Sequence, residues 1–209
     1  MLNENISLKN FAENFPREDF FIEQARFAGV ETGIPNPTPA SGSFISQIAS
    51  LIHAKSVVEI GSGSGVGALW LYSGMENNGV VTTIDQDREA GSITRKTLEE
   101  AGIASQRYRI ITGSPLEVVN KLADTNYDLI VIRLTEDLLD VIQETYRLLK
   151  DKGVLILDNA FGGGKVADPT ARDFATIARR DGIKALKDQD RWRSTMVEVG
   201  DGIVFAIKQ

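Results

Sequence analysis

The chain has 209 residues, of which 42% are apolar and 25% charged, with a formal net charge of −6. That is the balance of one large globular domain, and the acidic total argues against a nucleic-acid partner. With no cysteine, disulfides, zinc–thiolate sites and thiol nucleophiles are excluded, and a metal would have to use oxygen ligands or the single histidine, His53.

The opening MLNENISLKNFAENF lacks a basic start followed by an apolar run, so no secretory signal is expected. No stretch is apolar for long enough to cross a membrane, and the cytoplasm is the expected compartment. Leu8, Phe11 and Phe15, then Phe20, Phe21, Ala25 and Phe27, predict two short helices broken near Pro16. These form an N-terminal arm over residues 1–32, serving as a docked lid, a dimer arm or a substrate contact. The Pro-rich connection GIPNPTPASG, Gly33 to Gly42, leads into the main domain, residues 33–209. SFISQIASLIHA then reads as a helix with Phe44, Ile45, Ile48, Leu51 and Ile52 on one stripe. His53, at its end, reads as structural.

From Ser56 onward the pattern alternates. SVVEI, VVTTID, YRIIT, YDLIVI and GVLILD are apolar strands, and GALWLYSGM, REAGSITRKTLEEAG, PLEVVNKL and EDLLDVIQETYRLLK are the helices between them. Nearly continuous apolar strands separated by amphipathic helices predict a parallel sheet covered on both faces, with right-handed crossovers. After Asp158, DPTARDFATIARRDG reads as a helix, and STMVEV and IVFAIK as two strands joined by a tight GDG turn. The expected fold is α/β and doubly wound: five parallel strands closed by a C-terminal antiparallel hairpin, seven strands in all.

The stretch VVEIGSGSGVGALWL places Gly61, Gly63, Gly65 and Gly67 directly behind the first strand. In a doubly wound sheet, ligands bind beyond the carboxyl ends of the strands, where strand order reverses. Glycines there permit backbone angles closed to other residues and let a ligand approach. Two ligand classes compete. Gly63, Gly65 and Ala68 fit the dinucleotide spacing G-x-G-x-x-G/A, but late relative to the strand end, and from Gly61 the pattern fails at Val66. Glu59, at the strand's end, would repel a pyrophosphate and favour an amine or a sulfonium. Asp85, closing the second strand, is placed to accept the hydroxyls of a ribose. Asp87 reads as the N-cap of the next helix.

VVEIGSGSGVGALWL, VTTID, ITGSPLEVV, YDLIVI and GVLILDNAFGGGKVADP together resemble, in order, the S-adenosylmethionine-dependent O-methyltransferases, in particular the catechol and caffeoyl-CoA O-methyltransferase group and its small bacterial relatives. The resemblance spans roughly residues 33 to 209. It implies a Rossmann-like methyltransferase sheet that binds S-adenosylmethionine. Gly61, Ser62, Gly63, Gly65 and Gly67 would lie along the methionine part, with Glu59 near its amine. Asp85 would hold the ribose, Gln86 would sit beside the adenine, and Gly113, Ser114 and Pro115 would border the ring. The Pro37 to Gly42 stretch would cover the cofactor. A homodimer and a small-molecule acceptor are also implied. The Phe-rich start, with Phe161 and Trp192 expected near the carboxyl edge, favours an apolar or aromatic acceptor, and equally suits the core or a dimer seam.

The same resemblance implies a divalent ion, usually magnesium, held by an aspartate after the fourth strand and an Asp-Asn pair after the fifth. The pair is present as Asp158 and Asn159, which also suit a turn capping the strand. The first aspartate is replaced by Arg133, and the lysine used near the reacting hydroxyl by Glu136. An arginine cannot ligate a cation. An Arg133–Asp158 pair is therefore expected to fill the ion's place, leaving three outcomes: transfer without metal, with Arg133 stabilising an oxyanion and Glu136 or Asp158 as base; a substrate acid group bound by Arg133; or cofactor binding without turnover. A nicotinamide oxidoreductase is the more distant alternative.

Overall fold

A computed structural model describes the backbone of residues 2–209 and the side chains from residue 8 onward. Seven strands form one sheet in the order β3-β2-β1-β4-β5-β7-β6. The strands are β1 (Ser56–Ile60), β2 (Val80–Asp85), β3 (Tyr108–Thr112), β4 (Tyr127–Ile132), β5 (Leu149–Asp158), β6 (Trp192–Val197) and β7 (Ile203–Lys208). β1 to β5 are parallel, and β7 runs antiparallel between β5 and β6. Strand order reverses at β1, which has β2 on one side and β4 on the other.

The helices are α1 (Leu2–Glu13), α2 (Phe20–Thr32), α3 (Pro39–Leu51), α4 (Val66–Gly74), α5 (Arg88–Glu100), α6 (Pro115–Val119), α7 (Leu138–Leu148) and α8 (Phe174–Ala185). Strand side chains alternate between two apolar layers, as a period of two requires. Val58, Ile60, Ile130, Ile132, Leu155 and Leu157 pack with Leu138, Ile142 and Leu186 on the α7 and α8 side. Val57, Leu129, Val131, Val154 and Ile156 pack with Ile45, Ala49 and Leu71 on the α3 and α4 side. A third cluster joins Ile22 and Ala25 of α2 to Trp70 of α4 and Leu98 of α5. α2 is thus packed against α4 and α5.

Several boundaries move for identifiable reasons. α3 begins inside the Pro-rich connection rather than at Ser43, because Thr38 caps it, accepting from Ser41 N–H at 3.2 Å, and Pro39 takes the first turn, where its missing N–H costs nothing. α8 begins at Phe174, later than expected, because Asp173 accepts from Thr176 N–H at 3.1 Å and fixes the start there. The hairpin connection runs from Glu198 to Gly202, longer than the Gly-Asp-Gly turn read from sequence. Trp192 pairs with Lys208, whereas Val197 pairs with Ile203 beside Asp158. Trp192 therefore lies at the amino edge of the parallel strands, 3% exposed and edge-to-face on Tyr146, far from any acceptor at the carboxyl edge. Phe161 does lie at that edge, its ring packed over Gly202.

Candidate active site

A cavity of about 640 Å³ opens at the carboxyl ends of β1, β2 and β4, roofed by the segment from Thr32 to Thr38. Its floor is the bend after β1. Gly61, Gly63 and Gly65 adopt φ of 94°, 60° and 91°, in the region that disfavours side chains. A Cβ on Gly63 would meet the Pro35 carbonyl at 2.9 Å, so the roof and the floor approach each other here only because the side chain is missing. Asn36 ties the two together: its Oδ1 accepts from Ser64 N–H at 3.2 Å and lies 2.7 Å from the Ser64 hydroxyl.

Asp85 forms the wall after β2. Its Oδ2 accepts from Ser62 N–H and Ser62 Oγ at 2.8 and 3.0 Å, and its Oδ1 accepts from Asp87 N–H at 3.0 Å. Gln86 donates to Glu136 Oε2 at 3.2 Å across the rim. Ser114 and Pro115 line the cavity at the start of α6, and Gly113 N–H donates to the Asp85 carbonyl at 2.9 Å from just outside the lining.

Arg133 lies one residue past β4, one step beyond the Ile132–Leu157 pair of the ladder. Strand parity aims it at the α3 and α4 side, as it does Glu59 and Asp158. Its Nη1 donates to Glu59 Oε1 at 2.6 Å, and its Nε to Asp158 Oδ2 at 2.8 Å. Asp158 Oδ1 accepts from Ser41 Oγ at 2.7 Å and from Asn159 N–H at 2.9 Å. Glu59 is fully buried, Asp158 is 5% exposed and Ser41 1%. Gly67 makes room for the cluster, since a Cβ there would lie 2.0 Å from Glu59 Oε1 and 2.6 Å from Arg133 Nη1. Arg133 Nη2 and Glu59 Oε2 have no hydrogen-bond partner and are closed off from solvent. Burial pushes the Glu59 carboxyl up to about 7 against the pull of Arg133. Burial works to lower the Arg133 pKa, but Asp158 and Glu59 together hold it above its usual value.

Of the site residues read from sequence, Gly61, Ser62, Gly63, Asp85, Gln86, Ser114, Pro115, Arg133, Glu136, Asp158 and Asn159 line this one cavity. Glu59, Gly65, Gly67 and Gly113 do not. Glu59, expected near a ligand amine, sits beneath the floor with its Oε1 bound to Arg133. Glu136 is exposed at the rim with Gln86 and is not grouped with Asp158. Sequence reasoning missed Ser41 as a partner of Asp158; it also missed Asn36 and the lining by Asp201.

The divalent ion implied by the resemblance does not suit these residues. One Asp158 oxygen is taken by a guanidinium, and the other by a hydroxyl and an N–H. Asn159 is exposed, and its backbone carbonyl accepts from Arg179 Nε at 2.9 Å. Among the described residues, no group of three or more His, Asp or Glu side chains is placed to hold a metal. His53 lies after α3, 3.0 Å from Glu76 on the surface and away from the cavity.

A reversing parallel sheet with a glycine bend after its first strand and an acid after its second defines a nucleoside-binding α/β protein. An O-methyltransferase family model matches residues 19–209. An O-methyltransferase of Mycobacterium marinum is 38% identical over 202 residues, covering 96% of this chain and 90% of that one. A Corynebacterium glutamicum protein of solved structure superposes with a TM-score of 0.89 at 25% identity, over 98% of this chain and 97% of the other. An O-methyltransferase from Streptomyces achromogenes, solved in complex with S-adenosylmethionine, shares the fold, with a TM-score of 0.86 at 22% identity over 97% and 96% of the two chains. The chain belongs to the O-methyltransferase family.

Proposed function

We propose that the protein transfers a methyl group from S-adenosylmethionine to a hydroxyl oxygen of a small molecule, within the cavity roofed by residues 32–38. The observation that carries this reading is the convergence of a side-chain-free floor at Gly61 and Gly63 with the carboxylate of Asp85 in one cavity. The Asp85 carboxylate, already oriented by Ser62 and Asp87, suits a ribose diol, and Gln86, Ser114 and Pro115 suit the base beside it. When bound, S-adenosylmethionine supplies a methyl carbon activated by its sulfonium, so the protein's part is alignment and removal of the acceptor's proton.

In this reading Asp158 takes that proton. It lines the cavity, and Ser41, Asn159 N–H and Arg133 fix its orientation. Glu136, tied to Gln86, belongs to the rim on the nucleoside side. Residues 1–32 act as an arm to the domain of residues 33–209, and the protein works in the cytoplasm as a homodimer. The exposed Phe11, Phe15, Phe20, Phe27 and Val30 of the arm support that last point, as an apolar surface for a second copy.

The test is incubation with S-adenosylmethionine and a panel of phenols and aliphatic alcohols, with S-adenosylhomocysteine release and product mass followed together. A product heavier by one methyl on oxygen is expected, and lost in Asp85→Ala. Binding of the donor with no transfer to any acceptor would instead favour a cofactor-binding protein without turnover.

A further inference from the structure

The buried cluster of Glu59, Arg133 and Asp158 is built as a holder for one cation. Two acids from two different strands, β1 and β5, converge on a point beyond the end of β4. Arg133 reaches that point from the residue after β4 and bonds both at 2.6 and 2.8 Å. The second oxygen of Asp158 is held by Ser41, and Ser41 is held in turn: it lies on the first turn of α3, where Thr38 Oγ1 and Ala40 N–H each donate to a Glu13 oxygen at 3.0 Å. The cluster thus rests on the sheet below and on the helical arm above. Gly67 removes a side chain that would collide with it.

We propose that Arg133 is a resident cation that occupies the place of a divalent ion, so that the protein binds no metal at this site, with or without the cofactor product. Glu59 and Ser41 are positioning residues in this account: Glu59 holds the guanidinium, and Ser41 holds the carboxylate that faces it. A fixed guanidinium and a divalent ion cannot share the Asp158 carboxylate, because both need its oxygens and they repel each other strongly where water is excluded. The arrangement also alters what the acceptor must offer. A divalent ion gathers several oxygens around itself, whereas a guanidinium whose Nε and Nη1 already hold Asp158 and Glu59 has only Nη2 without a partner, enough for one oxygen. The acceptor therefore needs one hydroxyl, not a neighbouring pair of oxygens. This last point rests on the methyltransferase reading; the metal point does not.

The experiment is Mn²⁺ uptake, followed by loss of the free-ion electron paramagnetic resonance signal, on the full chain with and without S-adenosylhomocysteine. Wild type is expected to leave the signal of millimolar Mn²⁺ unchanged and to show no Mn²⁺-dependent rise in melting temperature. Arg133→Asp is expected to take up one ion per chain and to melt higher as Mn²⁺ is added, because three carboxylates then face one another without a cation. Arg133→Asn, which adds no charge, serves if the aspartate variant does not fold, and is expected to take up the ion more weakly. Uptake of one Mn²⁺ per wild-type chain that Asp158→Asn abolishes would overturn the proposal. So would folded Arg133→Asp and Arg133→Asn chains that both ignore the ion. S-adenosylhomocysteine affinity is read on the same samples: its absence would defeat the methyltransferase reading and leave the metal result standing. Catechol and monophenol acceptors, compared in chelator, test the consequence. Transfer within about tenfold for the two is expected, and strict dependence on a vicinal pair would overturn it.

Discussion

Arg133 Nε sits 2.8 Å from Asp158 Oδ2, at the carboxyl edge where β4 and β5 end side by side. The pair joins the ends of two neighbouring strands and lines the cavity. Its second anchor, Glu59, comes from β1, so three adjacent strands are fastened by one guanidinium.

Removing that guanidinium leaves two buried carboxylates facing each other. Breaking a buried ion pair from one side costs about 3–5 kcal/mol. Arg133→Met is expected to lose stability in that range by urea denaturation, while Arg133→Lys, which restores charge without the two-pronged geometry, is expected to recover part of it. An unchanged midpoint for Arg133→Met would show that the cluster is not fastening the strands.

Glu59 gives the stability a pH dependence. The carboxyl ionises near its ordinary value of 4.5 in the unfolded chain and near 7 in the fold. Between those values the folded state holds a proton that the unfolded state has lost. The contribution is therefore fully present below the unfolded value and is lost as pH rises through about 7, at up to about 1.4 kcal/mol per pH unit. Glu59→Gln cannot titrate. Denaturation midpoints between about pH 5.5 and about pH 8.5 are expected to fall less in this variant than in wild type; equal slopes would remove Glu59 as the source.

Gly67 tests the packing of the cluster directly. In Gly67→Ala the new Cβ would lie 2.0 Å from Glu59 Oε1, inside any tolerable contact. Glu59 is fully buried and has no room to retreat. A loss of about 2–4 kcal/mol is expected, a size reached by overpacking combined with a broken buried network. Wild-type stability and wild-type ligand affinity together in Gly67→Ala would mean that the cluster is differently arranged in solution.

Asn36 fastens the roof to the floor through Ser64. Asn36→Ala removes that tie and leaves the sheet untouched. S-adenosylhomocysteine is expected to dissociate faster by about tenfold, the equivalent of one hydrogen bond of about 1.4 kcal/mol, with little change in association. Stopped-flow displacement reads both rates, and an unchanged dissociation rate would free the roof from any role in retention.

Much of this is legible in the chain itself. The alternation of apolar strands with amphipathic helices specifies the parallel sheet, because burial on both faces leaves no polar stripe in strands such as YDLIVI. The hairpin follows from two apolar runs separated by glycines. Helix starts are less legible where a capping side chain, as at Thr38 and Asp173, decides the position over the apolar pattern. The Arg133–Asp158 pair is expected from the residues that replace one another at those places. The role of Glu59 is not, although a signal exists: with a period of two, Glu59 shares its sheet face with Val57 and Val131 and points under α4, away from the ligand side of the bend. Ser41 gives no signal, since its partner lies 117 residues away across the fold. Trp192 falls at the opposite edge from the one expected because distance along a strand, not the strand's identity, decides which edge a residue occupies.

The most direct test of the account is calorimetric titration of S-adenosylhomocysteine into chelator-treated wild-type protein and into Asp85→Ala. One ligand bound per wild-type chain without any added ion, with at least about a tenfold loss in Asp85→Ala, is the expected result. No binding at millimolar ligand, or binding that appears only when magnesium is restored, would contradict it.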